Sequence, residues 1–133
     1  MSTRTPWGQS QHEKQIGKGT EITGFVTAGH GGWKLGPAAH TALQRKFKFN
    51  TFAGGPWYEE DCDVCAVVIA FPLEFSTSQV LKAVEAAKVF KGWDERDGKD
   101  DGNWHRVVAF CLKDDRIKMI VSEHGTPMAT AAE

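Results

Sequence analysis

No apolar run in this sequence approaches the roughly 18 residues needed to span a bilayer. Its opening, MSTRTPWGQSQHEK, lacks the apolar segment of a secretory leader. Both absences lead to the expectation of a soluble, cytoplasmic protein that makes no membrane contact. Blocks of one charge are missing too: no five consecutive residues are all basic, and 16 Lys and Arg against 17 Asp and Glu leave a formal net charge of −1. Nucleic-acid binding through a general electrostatic footprint is therefore disfavoured, because that mode needs clustered cations to neutralise phosphates. Arg45, Lys46 and Lys48 form a small local exception, read as the solvated end of a helix. Three cysteines, an odd number, fit free thiols in a reducing compartment better than a disulfide framework.

Several catalytic and phosphate-binding signatures are also absent. No Gly-x-Ser-x-Gly elbow accompanies the His-Gly-Gly at 30–32, so the likeness of that loop to a hydrolase oxyanion loop has no nucleophile behind it. In GHGGWK, Lys34 stands where a dinucleotide fingerprint needs its third glycine, and GKGT at 17–20 lacks the Gly-Lys-Ser/Thr end of a phosphate loop. No cofactor is expected from these fragments. The sequence shows neither an internal repeat nor a domain boundary.

What is present is the composition of an ordinary globular domain: 133 residues, 41% hydrophobic and 11% aromatic, enough for one core. Residues 1–133 are read as one domain with a flexible N-terminal arm over about 1–15 and a frayed tail over about 125–133. TEITGFVTA at 20–28 alternates as a half-buried strand, and GWKL at 32–35 offers a second, with a turn built from Gly29 to Gly32 where positive φ costs little. Pro37 suits the first turn of a helix through AAHTALQRKF. The stretch 56–71 fits two templates. Val64, Val67, Val68 and Phe71 have helical spacing behind a Pro56 start, while VVIAF is β-branched enough for a buried strand; helix is favoured. STSQVLKAVEAAKVFKG is a helix, opened by Ser76 and Gln79 at capping-box spacing and stopped at Gly92. A charged loop, WDERDGKDDGN, should follow, and then WHRVVAFCL and IKMIVSE as a closing β-hairpin. The sum is an α+β fold with a mostly antiparallel sheet and about three helices.

Candidate sites come from residue types that these elements do not require. A turn has no need of an imidazole, so His30 is the leading candidate for acid–base or ligand chemistry, against the plain reading of an exposed or carbonyl-bonded histidine. WYEEDCD, residues 57–63, concentrates carboxylates that can raise one another's pKa or hold a hard cation. In a helix Glu60 would share the Val64 face, making Glu60 and Asp61 partners for His30. A favourably charged helix start explains the same acids. Cys62 and Cys65 are spaced as a redox or metal pair, yet the surrounding acids oppose a thiolate, and Cys111 and His105 do not complete a zinc set, so no metal is expected. DGKDDGN fails as a calcium loop at Lys99 and Val108. Trp33, Trp57, Tyr58 and Glu59 are candidates for a binding surface, with core packing of the five tryptophans as the alternative.

TPWG at 5–8, TAGHGGWKL at 27–35 and WYEEDCDVCAVVIAFP at 57–72 resemble an uncharacterised domain family carried by bacterial plasmids and phages. Its members share a TPWG start, an S/T-x-x-H-G-G-x-x-L stretch and a Y-E-E-D block running into an apolar segment that ends in Phe-Pro. Val64 departs from the Trp that the pattern places nearby, and nothing after residue 72 takes part. The resemblance implies a mobile-element accessory protein of no known reaction, with His30, Gly31, Gly32, Tyr58, Glu59, Glu60 and Asp61 in one shared constellation. From it follows the expectation of a protein that binds a protein of its bacterial host, for instance to antagonise a defence system. The alternative is a small enzyme or ligand-binding protein using His30 with Glu60 or Asp61.

Overall fold

In the computed structural model, described for residues 2–17, 21–98 and 102–124, the first strands lie where the sequence suggested an irregular arm. β1 (Arg4–Thr5) and β2 (Gly8–Gln9) form a two-stranded antiparallel ribbon. Its turn is fastened by Thr5, whose hydroxyl donates to the Gly8 carbonyl at 2.7 Å and accepts the Trp7 N–H at 3.1 Å. Gly8 supplies the required positive φ of 122°. Polar side-chain bonding of this kind leaves no apolar period in the sequence. The expected tail over 125–133 lies outside the described residues.

β3 (His12–Gln15), β4 (Ile22–Val26), β5 (Gly31–Leu35) and β6 (Trp57–Glu59) then make one sheet in the order β3-β4-β5-β6, every pair antiparallel. The expected α+β class and antiparallel sheet are borne out, as are β4 and β5. Trp57–Glu59 is a correction, since the acidic block was expected to open a helix. Gly54 and Gly55, at φ 93° and 57°, turn the chain, and Trp57 to Glu59 pair with Lys34 to Gly32 instead.

There are five helices among the described residues, not about three. α1 (Pro37–Lys46) begins at Pro37 as expected. Its N-cap residue, Gly36, has no side chain to offer, and the Glu21 carboxylate accepts the Ala38 and Ala39 N–H groups at 3.1 and 3.2 Å in its place. α2 (Val64–Ala70) confirms the helical reading of the VVIA segment. Ala66 through Ala70 are all buried, and such all-round burial explains why neither template stood out in the sequence. A single 3-10 turn, Pro72–Glu74, follows.

α3 (Thr77–Asp97) carries the capping box as read: Gln79 N–H donates to Ser76 Oγ at 3.1 Å and Ser76 N–H to Gln79 Oε1 at 2.9 Å. It runs through Gly92 into the expected charged loop and stops at Gly98, φ 67°, because the left-handed residue that ends a helix sits there. α4 (Asn103–Lys113) and α5 (Asp115–His124) replace the expected β-hairpin. Trp104, Val107 and Cys111, buried at i, i+3 and i+7, were a helical stripe in a β-branched disguise.

The core lies where the helical layer meets one face of the sheet. Ile22, Leu35 and Tyr58 from the strands join Leu43, Val67, Ile69, Val80, Val107 and Ile117 from the five helices. Each fully buried Val, Leu or Ile there is worth roughly 1.5–3 kcal/mol. The opposite face is covered in part by the N-terminal ribbon, whose Trp7 ring meets Trp57 edge-on at 5.8 Å.

Candidate functional site

His30 lies at the β4–β5 connection, and the turn is fastened by Thr27. The Thr27 N–H donates to the His30 carbonyl at 2.9 Å, and the His30 N–H donates to Thr27 Oγ1 at 3.1 Å. The Thr27 hydroxyl in turn reaches the carbonyls of His30 and Trp7. Gly29, Gly31 and Gly32 all keep negative φ, which corrects the expectation that left-handed backbone explains them. Gly31 and Gly32 belong to β5, and they are there for close approach. A methyl at Gly32 would stand 2.5 Å from the Trp7 ring and closer still to the Tyr58 carbonyl; one at Gly31 would stand 2.6 Å from the Phe25 carbonyl.

The three acids part company. Glu59 is consumed by its own turn: its carboxylate accepts the N–H groups of Asp61 and Cys62, both at 2.9 Å. Glu60 lies across from Gly31, with its N–H on the Gly31 carbonyl at 3.1 Å. It lines a shallow hollow of about 270 Å3 with His12, Lys14, Gly24 and Trp33. His30 is exposed and is not among the residues lining that hollow, and Asp61 is exposed as well.

Among the binding candidates, Trp33 is half-buried and stacked on Phe75 at 5.5 Å, with the ring planes 3° apart. Trp57 packs against Trp7 and Phe25, with the Lys34 ammonium 5.2 Å from its ring centroid. Tyr58 is fully buried and presents no surface to a partner. Burial, aided by Glu59 and Asp63, pushes the Cys62 and Cys65 thiols up to about 11, so both are protonated at neutral pH and poor thiolate nucleophiles. Among the described residues no three His, Cys, Asp or Glu side chains gather as a metal set, and no described helix is long and apolar enough to cross a membrane.

Sequence reasoning missed His40. It stands on α1 with its Nδ1 2.8 Å from the Tyr58 hydroxyl, beside a cleft of about 380 Å3 lined also by Gln44, Phe49, Asn50, Thr51, Gly54 and Gly55. Gln44 holds the floor by pairing with the Phe49 backbone in both directions, at 2.7 and 3.0 Å. Asn103 does the same for Asn50 from α4, at 2.8 and 2.7 Å. Burial pushes Tyr58 up to about 12, against a smaller opposing bond from Gln44. A neutral phenol that donates to Nδ1 corresponds to the His40 tautomer with its proton on Nε2. The one signal available was the i, i+4 spacing of His40 and Gln44 ahead of the only tyrosine.

Burial lowers the His40 pKa from its ordinary value of 6.5. The unfolded chain thus binds this proton at a higher pH than the folded one. The stability tied to neutral His40 is complete above pH 6.5 and is lost as pH falls from there toward the folded value. His40→Gln, which keeps an acceptor for Tyr58, should shrink the drop in Tm between about pH 7 and pH 5.5, a window above most carboxylate titrations. Thermal melts of both proteins at the two pH values check it; an unchanged drop removes His40 as the cause.

A different kind of surface lies between α3, α4 and α5. Val84, Val108, Cys111, Leu112 and Val121 line an almost wholly apolar groove of about 330 Å3, with Lys88 and Lys118 at its edges. Leu112 is 67% exposed. Among the described residues the two lysines pair with exposed same-helix acids, Glu85 at 3.2 Å and Asp115 at 4.0 Å.

Comparison with curated proteins finds no match, and comparison with solved structures finds none either. Over residues 1–111 the chain matches a family described as "Domain of unknown function (DUF7007)". That span takes in the whole sheet, α1 to α3 and α4 as far as Cys111; Leu112 and α5, which complete the apolar groove, lie beyond it. The chain is a member of this DUF7007 family.

Proposed function

We propose that this chain is a protein-binding domain of a mobile genetic element, directed at a protein of its bacterial host. The observation that carries the reading is the apolar groove between α3, α4 and α5. The groove is concave and lined almost wholly by apolar side chains, with cations beside them, which is the form of a seat for an apolar segment of another surface. Its chemistry suits an apolar helix face or segment with acidic residues beside it. Among the described residues Lys88 and Lys118 are held by exposed pairs of small value, so a partner's carboxylates can replace Glu85 and Asp115 at little cost. Support for the mobile-element origin comes from the TPWG, HGG and YEED resemblance alone. Catalysis by His30 with Glu60 or Asp61 draws less support, since His30 stands apart from the hollow beside Glu60 and Glu59 is spent on a turn.

Leu112→Asp tests the reading. Leu112 is exposed, so the variant should fold with an unchanged Tm. Affinity for the protein captured from host lysate should fall by about tenfold or more, as for a residue near the centre of a docking site. Retention of the same partner at full affinity by the variant rules the groove out as its seat.

A further inference from the structure

The sequence has no basic block, yet the fold assembles a basic groove. Lys46 comes from the end of α1, where its ammonium donates to the Ala70 carbonyl and lies 5.2 Å from the Phe71 ring centroid. Arg106 and Lys113 come from one face of α4, seven residues and therefore about 10 Å apart along the helix axis. Ala109, small and exposed, lies between them. Together with Phe47 and Phe110 these residues line a groove of about 260 Å3 that contains three cations and no carboxylate. Arg106 also donates through Nε to the Lys48 carbonyl at 2.6 Å, which fixes the Lys48 backbone beside the groove. The nearest acids lie to one side. Asp114 accepts the Ile117 N–H at 3.0 Å as the cap of α5, and Asp114 and Glu74 line the neighbouring hollow, where Arg116 accompanies them and Lys46 borders both spaces.

We propose that this groove seats the phosphate backbone of a nucleic acid. Like charges held together by two separate helices repel one another, and a polyanion converts that repulsion into binding by releasing its own counterions. Two of the three cations are spaced along a helix rather than gathered at a point, so the groove suits a chain of phosphates better than a single anion. Ala109 leaves room for a backbone to come close, and half-buried Phe110 offers an apolar surface for a sugar or base. A net charge of −1 is no obstacle, because the relevant field is local. This site is separate from the apolar groove and does not rest on the protein-binding proposal.

The experiment is fluorescence anisotropy with labelled duplex and single-stranded DNA of about 20 nucleotides, titrated between about 50 and 200 mM salt. Lys48→Glu/Lys113→Glu is compared with Lys88→Glu/Lys118→Glu, which changes the net charge equally at the other groove. Arg106 is left in place because it also holds Asn103 and the Lys48 carbonyl. The wild type should bind at least one of the two DNAs with a salt-dependent affinity. The first double variant should weaken that binding by about tenfold or more and flatten the salt slope by about one to two, with the control variant near wild type. Three results overturn the proposal: no binding at the lowest salt, equal weakening by both double variants, or tripolyphosphate binding as tightly as DNA.

Discussion

Gly32→Ala should destabilise the protein by about 3 kcal/mol or more, because the added methyl has nowhere to go. It would stand 2.5 Å from the Trp7 ring and nearer to the Tyr58 carbonyl, so either the N-terminal ribbon lifts off or β5 and β6 separate. Both routes expose the Trp7–Trp57 edge contact to water. Gly29→Ala is the matched control, since a methyl there meets no atom within 4 Å and φ is not positive. It should be neutral or stabilise by up to about 1 kcal/mol through the unfolded chain. Urea unfolding of the two variants side by side decides between close approach and turn conformation. A tolerated alanine at 32 together with a damaging one at 29 would mean that the turn, after all, is what the glycines serve.

Tyr58→Ala should cost about 3–5 kcal/mol and Tyr58→Phe about 1–3 kcal/mol. The larger figure is that of deleting a fully buried ring that faces Phe49, at a centroid distance of 6.2 Å, and anchors β6 to the helices. The smaller isolates the hydroxyl, whose loss leaves His40 Nδ1 without its 2.8 Å hydrogen-bond contact to the phenol. Nitrogen NMR of His40 separates the two effects. In Tyr58→Phe the ring nitrogens should shift toward a mixed tautomer while the backbone amides of β5 and β6 stay in place. A Phe variant as stable as wild type, with unaltered His40 resonances, would show that the phenol does not hold the imidazole.

These two positions also mark how far the sequence could be read. Gly32 was legible as unusual, yet its reason was misassigned: a turn is inferred from neighbours in the chain, whereas Trp7 is 25 positions away. Tyr58 was read as a surface candidate at the start of a helix, since three acids after an aromatic pair look like a favourably charged N-terminus. The register against β5 overrode that local preference. α4 was legible in principle from the spacing of Trp104, Val107 and Cys111, but β-branched composition outweighed period. For α2, with five consecutive buried residues, no period existed to be read.

By itself the sequence determined the elements whose causes are local. Pro37 starts α1, the Ser76–Gln79 box starts α3, and alternation from Ile22 to Val26 and beyond His30 makes a hairpin; each signal lies within a few residues of what it specifies. The tertiary structure alone decided what depends on meetings across the chain. It set His40 against Tyr58, removed His30 from the hollow beside Glu60, opened an apolar groove between three helices, and gathered Lys46, Arg106 and Lys113 into a basic one. The reason is that capping, turn and periodic preferences act over one or two turns of chain. A site is a convergence of side chains from distant segments, and only the packing of the core selects which segments converge.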